Sequence, residues 1–332
     1  MQVNLKKISK LIFKKKWSAA NQLLEEVAEP LKIFLQESEF QPPFTGVEWV
    51  LQSKESCGFV FNQQISVQQY QFALTRLILL LPLIKAFHVS EYFRAGSVLI
   101  NLGDLAQAPG LALCSNRSDS ILIPDTDFWG AHGYEDTRLD FMVNSPPWNM
   151  RSPIAFWRGN TTGMRVGDSW RGLPRLQLCE LANQTGNRYL FDVGVSSFAQ
   201  VSKQDAREIR GMGYEKGFVP ITSSNRYKYL IDIDGNTNAW SALFQKLLSG
   251  SAVLKVASPG HYRQWYYDQL IPWVNFVPVK SDMSDLVEKI HWLRDHDDEA
   301  KEIGVNGAKL AYQLTYEREL EKALVNINKA LN

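Results

Sequence analysis

The chain has 332 residues, with 36 Lys+Arg against 35 Asp+Glu and a formal charge of +1. At ~150 residues per domain this length suggests two domains, and a chain of this size can fold without disulfides or a structural metal. Apolar residues at 45% and charged residues at 21% exclude disorder or coiled coil as the main state, and the balanced charge argues against a protein built to coat nucleic acid.

The N-terminal segment carries Lys6, Lys7, Lys10, Lys14, Lys15 and Lys16, with no acid before Glu25. Leu5, Ile8 and Ile12 recur at helical spacing, which predicts a basic amphipathic helix. Such a helix suits peripheral contact with an anionic membrane; a surface helix with a solvated lysine face is the plainer reading. Lys10 interrupts the apolar stretch and no small-residue cleavage site follows, so a secretory signal is not expected. Helices are predicted over 17–37 and 67–86, strands over 98–102 and 121–123, and a Pro/Trp-rich linker over 144–153. No run reaches the ~18 apolar residues of a membrane span; the best, 77–84, contains Pro82. Cys57, Cys114 and Cys179 are widely spaced and read as free buried thiols, which suits a reducing compartment.

The second half is more regular. Strand-like runs at 154–157, 188–193, 229–233, 252–256 and 275–279 alternate with helical stretches at 173–183, 237–248, 262–270 and 283–295. That alternation implies βαβ units and a parallel sheet covered by helices. The predicted organisation is an α/β fold with domains 1–150 and 151–332, the last helix returning to the first domain. Ligands of such sheets sit beyond the carboxyl ends of the strands. The segments at those ends are 158–162, 234–240, 257–260 and 280–282.

Arg158, Gly159, Asn160, Thr161, Thr162 and Gly163 follow the first of these strands. The glycines allow a sharp turn, the polar side chains supply donors, and Arg158, Arg165 and Arg171 supply charge for a diphosphate. The P-loop pattern is absent, and a polar turn with surface arginines is the commoner meaning of such a stretch. The most informative run is 228–240, in which a strand ends in Asp234, Gly235 and Asn236, and Thr237, Asn238, Ala239 and Trp240 follow. A helix beginning near Thr237 would offer free N–H groups and its positive end to a phosphate. Asp232 and Asp234 also form a DxD pair, which in some glycosyltransferases holds a divalent metal; the plain alternative is a capped strand-to-helix turn. Asp104 closes the 98–102 strand and is a candidate general base. Asp125 and Asp127, beside Pro124 and Trp129, are a second acidic patch. His88, His132, His261, His291 and His296 form no HxxxH or HExxH pattern, and neither GxSxG nor a strand-linked GxGxxG occurs.

Taken in order, VLINLGD (98–104), SILIPDTDFW (120–129), AFWRGNTT (155–162), KYLIDIDGNTNAW (228–240), LSGSAVLK (248–255) and the stretch 265–303 resemble glycosyltransferase family 90, the capsule-associated-protein and protein O-glucosyltransferase family whose animal members include Rumi. The resemblance runs from about residue 95 to about 315. It implies a GT-B-like fold of two Rossmann-like domains facing across a cleft, with a UDP-sugar held mainly by the C-terminal one and no metal. It also implies that Asp104 is the catalytic base of an inverting transfer. By the same resemblance, Arg158, Gly159, Asn160, Thr161, Thr162, Arg165 and the run Asp234 to Trp240 contact the nucleotide sugar. Animal members carry arginines just after the RG turn and near Ser241, where this chain has Thr161 and a serine; Arg165 or Arg171 is expected to substitute. The segment 133–138 departs from the animal acceptor pattern. The expected acceptor is therefore a glycan or glycolipid of the lipopolysaccharide or capsule kind, reached from the cytoplasm at the inner face of the membrane. A metal-dependent DxD transferase and a non-catalytic glycan- or nucleotide-binding module are the alternatives.

Overall fold

The computed structural model describes residues 5–36, 45–62 and 64–331. They fall into two compact units: the chain up to Gly133 together with Tyr316 onward, and Tyr134–Thr315. The second unit begins ahead of the expected boundary at 150. The reason is packing: the Tyr134 ring lies 5.3 Å from that of Phe244, so the segment after Gly133 is part of the second core. The chain passes this point through three consecutive left-handed residues, His132, Gly133 and Tyr134.

The first unit runs α1 (Leu5–Phe13), α2 (Trp17–Ala28), β1 (Lys32–Gln36), β2 (Gly46–Ser53), β3 (Ser56–Phe61), α3 (Val67–Leu79), α4 (Leu81–Val89), β4 (Gly96–Asn101), β5 (Gly110–Ala112), β6 (Ser120–Leu122) and α5 (Thr126–Gly130). Its sheet has the order β1-β3-β2-β4-β5-β6. The sheet is mixed: β2 is antiparallel to both β3 and β4, while β1–β3, β4–β5 and β5–β6 are parallel. The predicted helix 17–37 is shorter than expected and gives way to a strand. Pro30 cannot donate into a helical ladder. Beyond it Ile33 and Leu35 are buried while Phe34 faces outward, the period of a strand. The predicted helix 67–86 is two helices bent by 50°, because Pro82 is tolerated only in the first turn of α4. Ser66 and Gln69 close a reciprocal cap at the start of α3.

The basic helix forms as predicted, but Ile8 and Ile12 are buried, with α1 lying on α3. Its apolar face therefore belongs to the core of its own unit, while its Lys6, Lys7 and Lys10, and Lys14, Lys15 and Lys16 just after it, are exposed. No single described helix is long and apolar enough to cross a membrane.

The second unit runs α6 (Glu135–Asn144), β7 (Ser152–Asn160), α7 (Pro174–Asn183), β8 (Phe191–Ser197), α8 (Lys203–Gly211), β9 (Tyr227–Asp232), α9 (Ser241–Leu248), β10 (Ala252–Val256), β11 (Val277–Val279), α10 (Leu286–Asp295) and α11 (Asp297–Gln313). The last helix, α12 (Tyr316–Ala330), belongs to the first unit. The second sheet is wholly parallel in its pairings, in the order β8-β7-β9-β10-β11. Numbered within the unit this is 2-1-3-4-5, a doubly wound order whose reversal falls between β7 and β9. Buried on both faces, the strands read as continuous apolar runs, which is why 252–256 is legible to the residue. The expected helix 262–270 is a 3-10 turn at Tyr267–Gln269 instead. There Trp265 and Tyr266 pack around Phe244, with ring centres 5.9 and 5.4 Å away, and that packing overrides helical propensity.

Helix α11 crosses β10 at Gly304. A Cβ on Gly304 would stand 2.4 Å from the Gly250 carbonyl oxygen, and backbone cannot move aside as a flexible side chain can. Gly304→Ala is expected to cost about 1–3 kcal/mol in denaturant unfolding. A wild-type midpoint would show that the helix shifts without penalty.

Candidate active site

The switch point fixes where to look, at the carboxyl ends of β7 and β9. Strand β7 continues through Asn160, so Arg158 and Gly159, expected in a loop, are strand residues. Gly159 is required by close approach, since a Cβ there would lie 2.6 Å from the Trp157 indole. Arg158 does not join the turn. Its guanidinium donates to the Asp192 carboxylate (2.7 Å) and to the Asp192 and Trp157 carbonyls (2.9 Å each). Lys216 and Tyr227 donate to the same carboxylate at 2.8 and 2.6 Å. Burial alone would raise the Asp192 carboxyl, but these three donors outweigh it and hold it at about 2.

The turn after β7 is organised by a residue that sequence reading passed over. Arg175, in the first turn of α7, donates to Asn160 Oδ1 (2.6 Å), Thr162 Oγ1 (2.9 Å) and the carbonyls of Asn160, Ile233 and Asp234 (3.3, 3.3 and 3.1 Å). Asn160 Oδ1 also accepts from the Thr162 amide. One buried guanidinium thus joins the end of β7 to the end of β9. Burial lowers it to about 10 while Asp232 and Asp234 oppose the fall, so it remains a cation at neutral pH. Thr161 is buried, donating to the Ala199 carbonyl and accepting from the Ala199 amide. Arg165 is exposed and donates to the Asp168 and Gln200 carbonyls.

The second turn also differs from expectation. Helix α9 starts at Ser241, not near Thr237. Residues 233–240 form an irregular loop in which the Gly235 amide donates to the Asn238 carbonyl and the Trp240 amide to Asn238 Oδ1. Trp240 has φ 50° and ψ −133°. This is strained backbone for a bulky residue, of a kind that costs about 1–3 kcal/mol and clusters at functional sites. Thr237 Oγ1 and Asn238 Nδ2 are buried without a hydrogen bond. Each such orphan costs about 1–3 kcal/mol unless a ligand or water completes it. Burial and the neighbouring Asp232 push the Asp234 carboxyl up, with Lys255 pulling the other way.

Asp232 is fully buried. Lys246 donates to one of its oxygens at 2.8 Å, and Lys255 lies 3.5 Å from the other. Lys255 is also 3.8 Å from Asp234, so both carboxylates share one side of the sheet. Burial would raise the Asp232 carboxyl, but Lys246, Lys255 and Arg175 together lower it. An aspartate sealed between two lysines is not presented as an open metal ligand. Among the described residues no group of three or more His, Cys, Asp or Glu side chains is placed to hold a metal ion.

Above this loop lies a cavity of about 290 Å³, lined by Arg165, Asp234, Gly235, Asn236, Thr237, Ser258, Gly260 and Tyr262, among others. Asn160 and Thr162 do not line it; they are tied to its loop only by hydrogen bonds from Arg175. Arg158 instead lines a second cavity, of about 270 Å³, with Phe156, Phe218, Ser241 and Lys246. Of the two arginines expected to substitute for the missing ones, Arg165 is at the first cavity. Arg171 is exposed, paired loosely with Glu180 (3.4 Å) and lying over Trp170.

In the first unit, Asp104 follows β4 and accepts from Arg76 of α3 at 2.7 Å. Arg76 also donates to the Leu102 carbonyl, so one side chain fixes both the strand end and the carboxylate. Asp125 is fully buried and caps α5, accepting from the Phe128 amide at 3.0 Å; its role is that of a cap.

The profile of Glycosyl transferase family 90 matches residues 102–318. The chain belongs to this family. Among curated proteins it is 31% identical over 228 residues to protein O-glucosyltransferase 2 of Danio rerio, covering 64% of this chain and 42% of that one. It is 32% identical over 221 residues to protein O-glucosyltransferase 3 of Homo sapiens, covering 64% and 39%. The chain thus spans about two-fifths of the length of these relatives. A solved structure of Anabaena HepE aligns at a TM-score of 0.37 and 12% identity, over 57% of this chain and 51% of that one, too loosely to bear on the fold. The family match includes Asp104, both strand-end turns and the cavity loop.

Two outcomes test this geometry. The Asp192 carboxyl is depressed by folding, so its contribution is present above the unfolded value near 3.8 and lost as pH falls toward 2. Asp192→Asn is expected to cost about 1–2 kcal/mol at neutral pH, allowing for solvent screening, with the gap to wild type closing between pH 4 and 2. A gap independent of pH would mean that the charge contributes nothing. Arg175→Met removes five hydrogen bonds and is expected to lose about 2–4 kcal/mol. Arg175→Lys should recover only part of that, because an ammonium cannot reproduce the planar fork; full recovery in thermal unfolding would contradict the clamp.

Proposed function

We propose that this chain is an inverting glycosyltransferase that moves a sugar from a UDP-sugar to a hydroxyl of a glycan acceptor. The observation that carries this reading is the 233–240 loop. In a family 90 chain, at the switch point of a parallel sheet, it sets buried polar groups without partners beside an open cavity. Ligands of such sheets bind there, and a sugar nucleotide has the hydroxyl, imide and phosphate groups to complete those partners. The relatives' name, O-glucosyltransferase, agrees in reaction class.

In this mechanism Asp104, positioned by Arg76, takes the proton of the acceptor hydroxyl. That oxygen attacks the anomeric carbon as the bond from this carbon to the diphosphate oxygen breaks. UDP leaves with the bonding electron pair, and a single displacement inverts the centre. Arg165 on the rim, with Arg175 and Lys255 beneath the loop, offsets the charge that develops on the diphosphate. The same cations take the part a metal would otherwise play, since Asp232 is already committed to lysines. The acceptor in this reading is a glycan or glycolipid of the lipopolysaccharide or capsule kind. Two features support it. Arg138 is engaged with the Leu314 carbonyl (2.8 Å), in a segment that departs from the animal acceptor pattern. The lysines of α1, exposed as a group, are suited to anionic lipid at about 1 kcal/mol each near such a surface.

UDP release measured with a panel of UDP-sugars and glycan acceptors tests the reading. Asp104→Asn is expected to lower turnover at least ~10²-fold while leaving UDP affinity near wild type. EDTA should leave the rate unchanged and manganese should not raise it. Near-wild-type turnover in the variant removes Asp104 from its role. Inhibition by EDTA restores the metal-dependent alternative, and UDP binding without transfer to any acceptor points to the non-catalytic module.

A further inference from the structure

The second unit carries another groove, of about 540 Å³, between α10, α11 and the loop 271–275. Trp273 and Trp292 form its floor, edge to face, with ring centres 4.9 Å apart. Trp273 is 42% exposed and has φ +63°, a left-handed conformation that a bulky residue rarely adopts. The loop holds it there. Asn275 accepts from the Ile271 amide and donates to the Gln269 carbonyl, and the Trp273 amide donates to the Phe276 carbonyl. Glu288, Glu299, Glu302 and Asn306 line the walls. Among the described residues no hydrogen bond or ion pair engages these four side chains.

We propose that this groove is a saccharide-binding site for neutral oligosaccharides, separate from the donor cavity. An exposed indole offers a negative π face to the polarised C–H face of a sugar ring. Carboxylates accept hydroxyl protons, and an amide both donates and accepts, the usual complement of a few placed polar groups around an apolar floor. Three carboxylates disfavour phosphorylated, uronate or sialylated ligands. A cationic ligand is the obvious competitor, but a cation of the chain itself already stands beside the ring. The Lys289 ammonium, held by Asp285 at 2.6 Å and by the Pro278 carbonyl, stands 5.8 Å from the Trp273 ring centre. Lys289 thus sets a fixed positive charge beside the ring that repels a second cation, whereas an uncharged C–H face meets no such repulsion. This inference does not rest on the donor-site reading.

The test is a glycan array carrying neutral, uronate-containing and sialylated oligosaccharides, with spermidine as a competitor and the full chain as the probe. Wild type is expected to bind neutral members, with at least tenfold loss in Trp273→Ala and in the double variant E299Q/E302Q. Trp273→Ala also removes packing against Trp292, so the exposed carboxylate pair supplies the independent variant. Absence of any neutral ligand, retention of affinity in either variant, preference for acidic glycans, or displacement by spermidine each overturns the proposal. UDP titration of the same proteins reports separately on the donor cavity: its failure would leave this site standing, and glycan binding would not rescue the donor reading.

Discussion

One buried guanidinium ties the end of β7 to the loop after β9, and that loop lines the cavity. Arg175 reaches acceptors on β7 and on the loop after β9, and without it two turns far apart in sequence would have no common anchor. Burying a cation is expensive unless it is paired and fully hydrogen-bonded. The second condition is met by five acceptors, and the charges of Asp232 and Asp234 act on the guanidinium through space. The same requirement explains Lys246 and Lys255. Asp232 cannot remain ionised in a dry strand end without them, so the arginine, the aspartates and the lysines form one interdependent group. Burial pushes the Asp234 carboxyl up and the Lys246 ammonium down, while Arg175 stays a cation at neutral pH, so a fixed positive charge lies beside the loop.

The arginines near the first turn show why sequence adjacency is a poor guide to shared function. Arg158, Arg165 and Arg171 lie close together in the chain, but the strand carries Arg158 to Asp192, Arg165 follows the turn to the rim, and Arg171 sits over Trp170. Arg175 is the residue that joins both turns, and nothing in its own surroundings, Leu173-Pro174-Arg175-Leu176, signals this. Its partners lie 13 to 59 residues away. Arg76 is similar. Its link to Asp104 spans 28 residues and leaves no local pattern.

What was legible follows from periodicity and burial. The parallel strands of the second unit are apolar runs between polar turns, so their existence and parallel pairing are legible in the sequence, while their spatial order is not. In the first unit the sheet is mixed, and its β2–β3 hairpin, joined by a short turn with no helix between the strands, lacks the βαβ rhythm that makes the second sheet legible. Strand β1 was read as the tail of a helix because Leu31, Ile33 and Leu35 extend an apolar stretch, although Pro30 marks the break. The start of α9 was misplaced for a different reason. Thr237 and Asn238 are good capping residues, but Asn238 uses its side chain on the Trp240 amide, and the helix can begin only afterwards. Local propensity was correct about the residue types and silent about which amide they would meet.

That delayed start bears on chemistry. The family resemblance places arginines near Thr161 and Ser241 in animal members. Here Thr161 is buried against Ala199 and Ser241 opens α9, so neither position offers charge. The cations nearest the loop are instead Arg165 at the rim and Arg175 and Lys255 below. A surface arginine can grip a phosphate with two parallel hydrogen bonds but is screened by water and salt. Cations fixed under a loop act through lower dielectric, at longer range and without reorganisation. Such a field stabilises charge developing on a leaving group while reading its geometry less sharply. In the proposed reading recognition then falls to Thr237 and Asn238, whose side-chain atoms are buried without a hydrogen bond and are directional where a field is not.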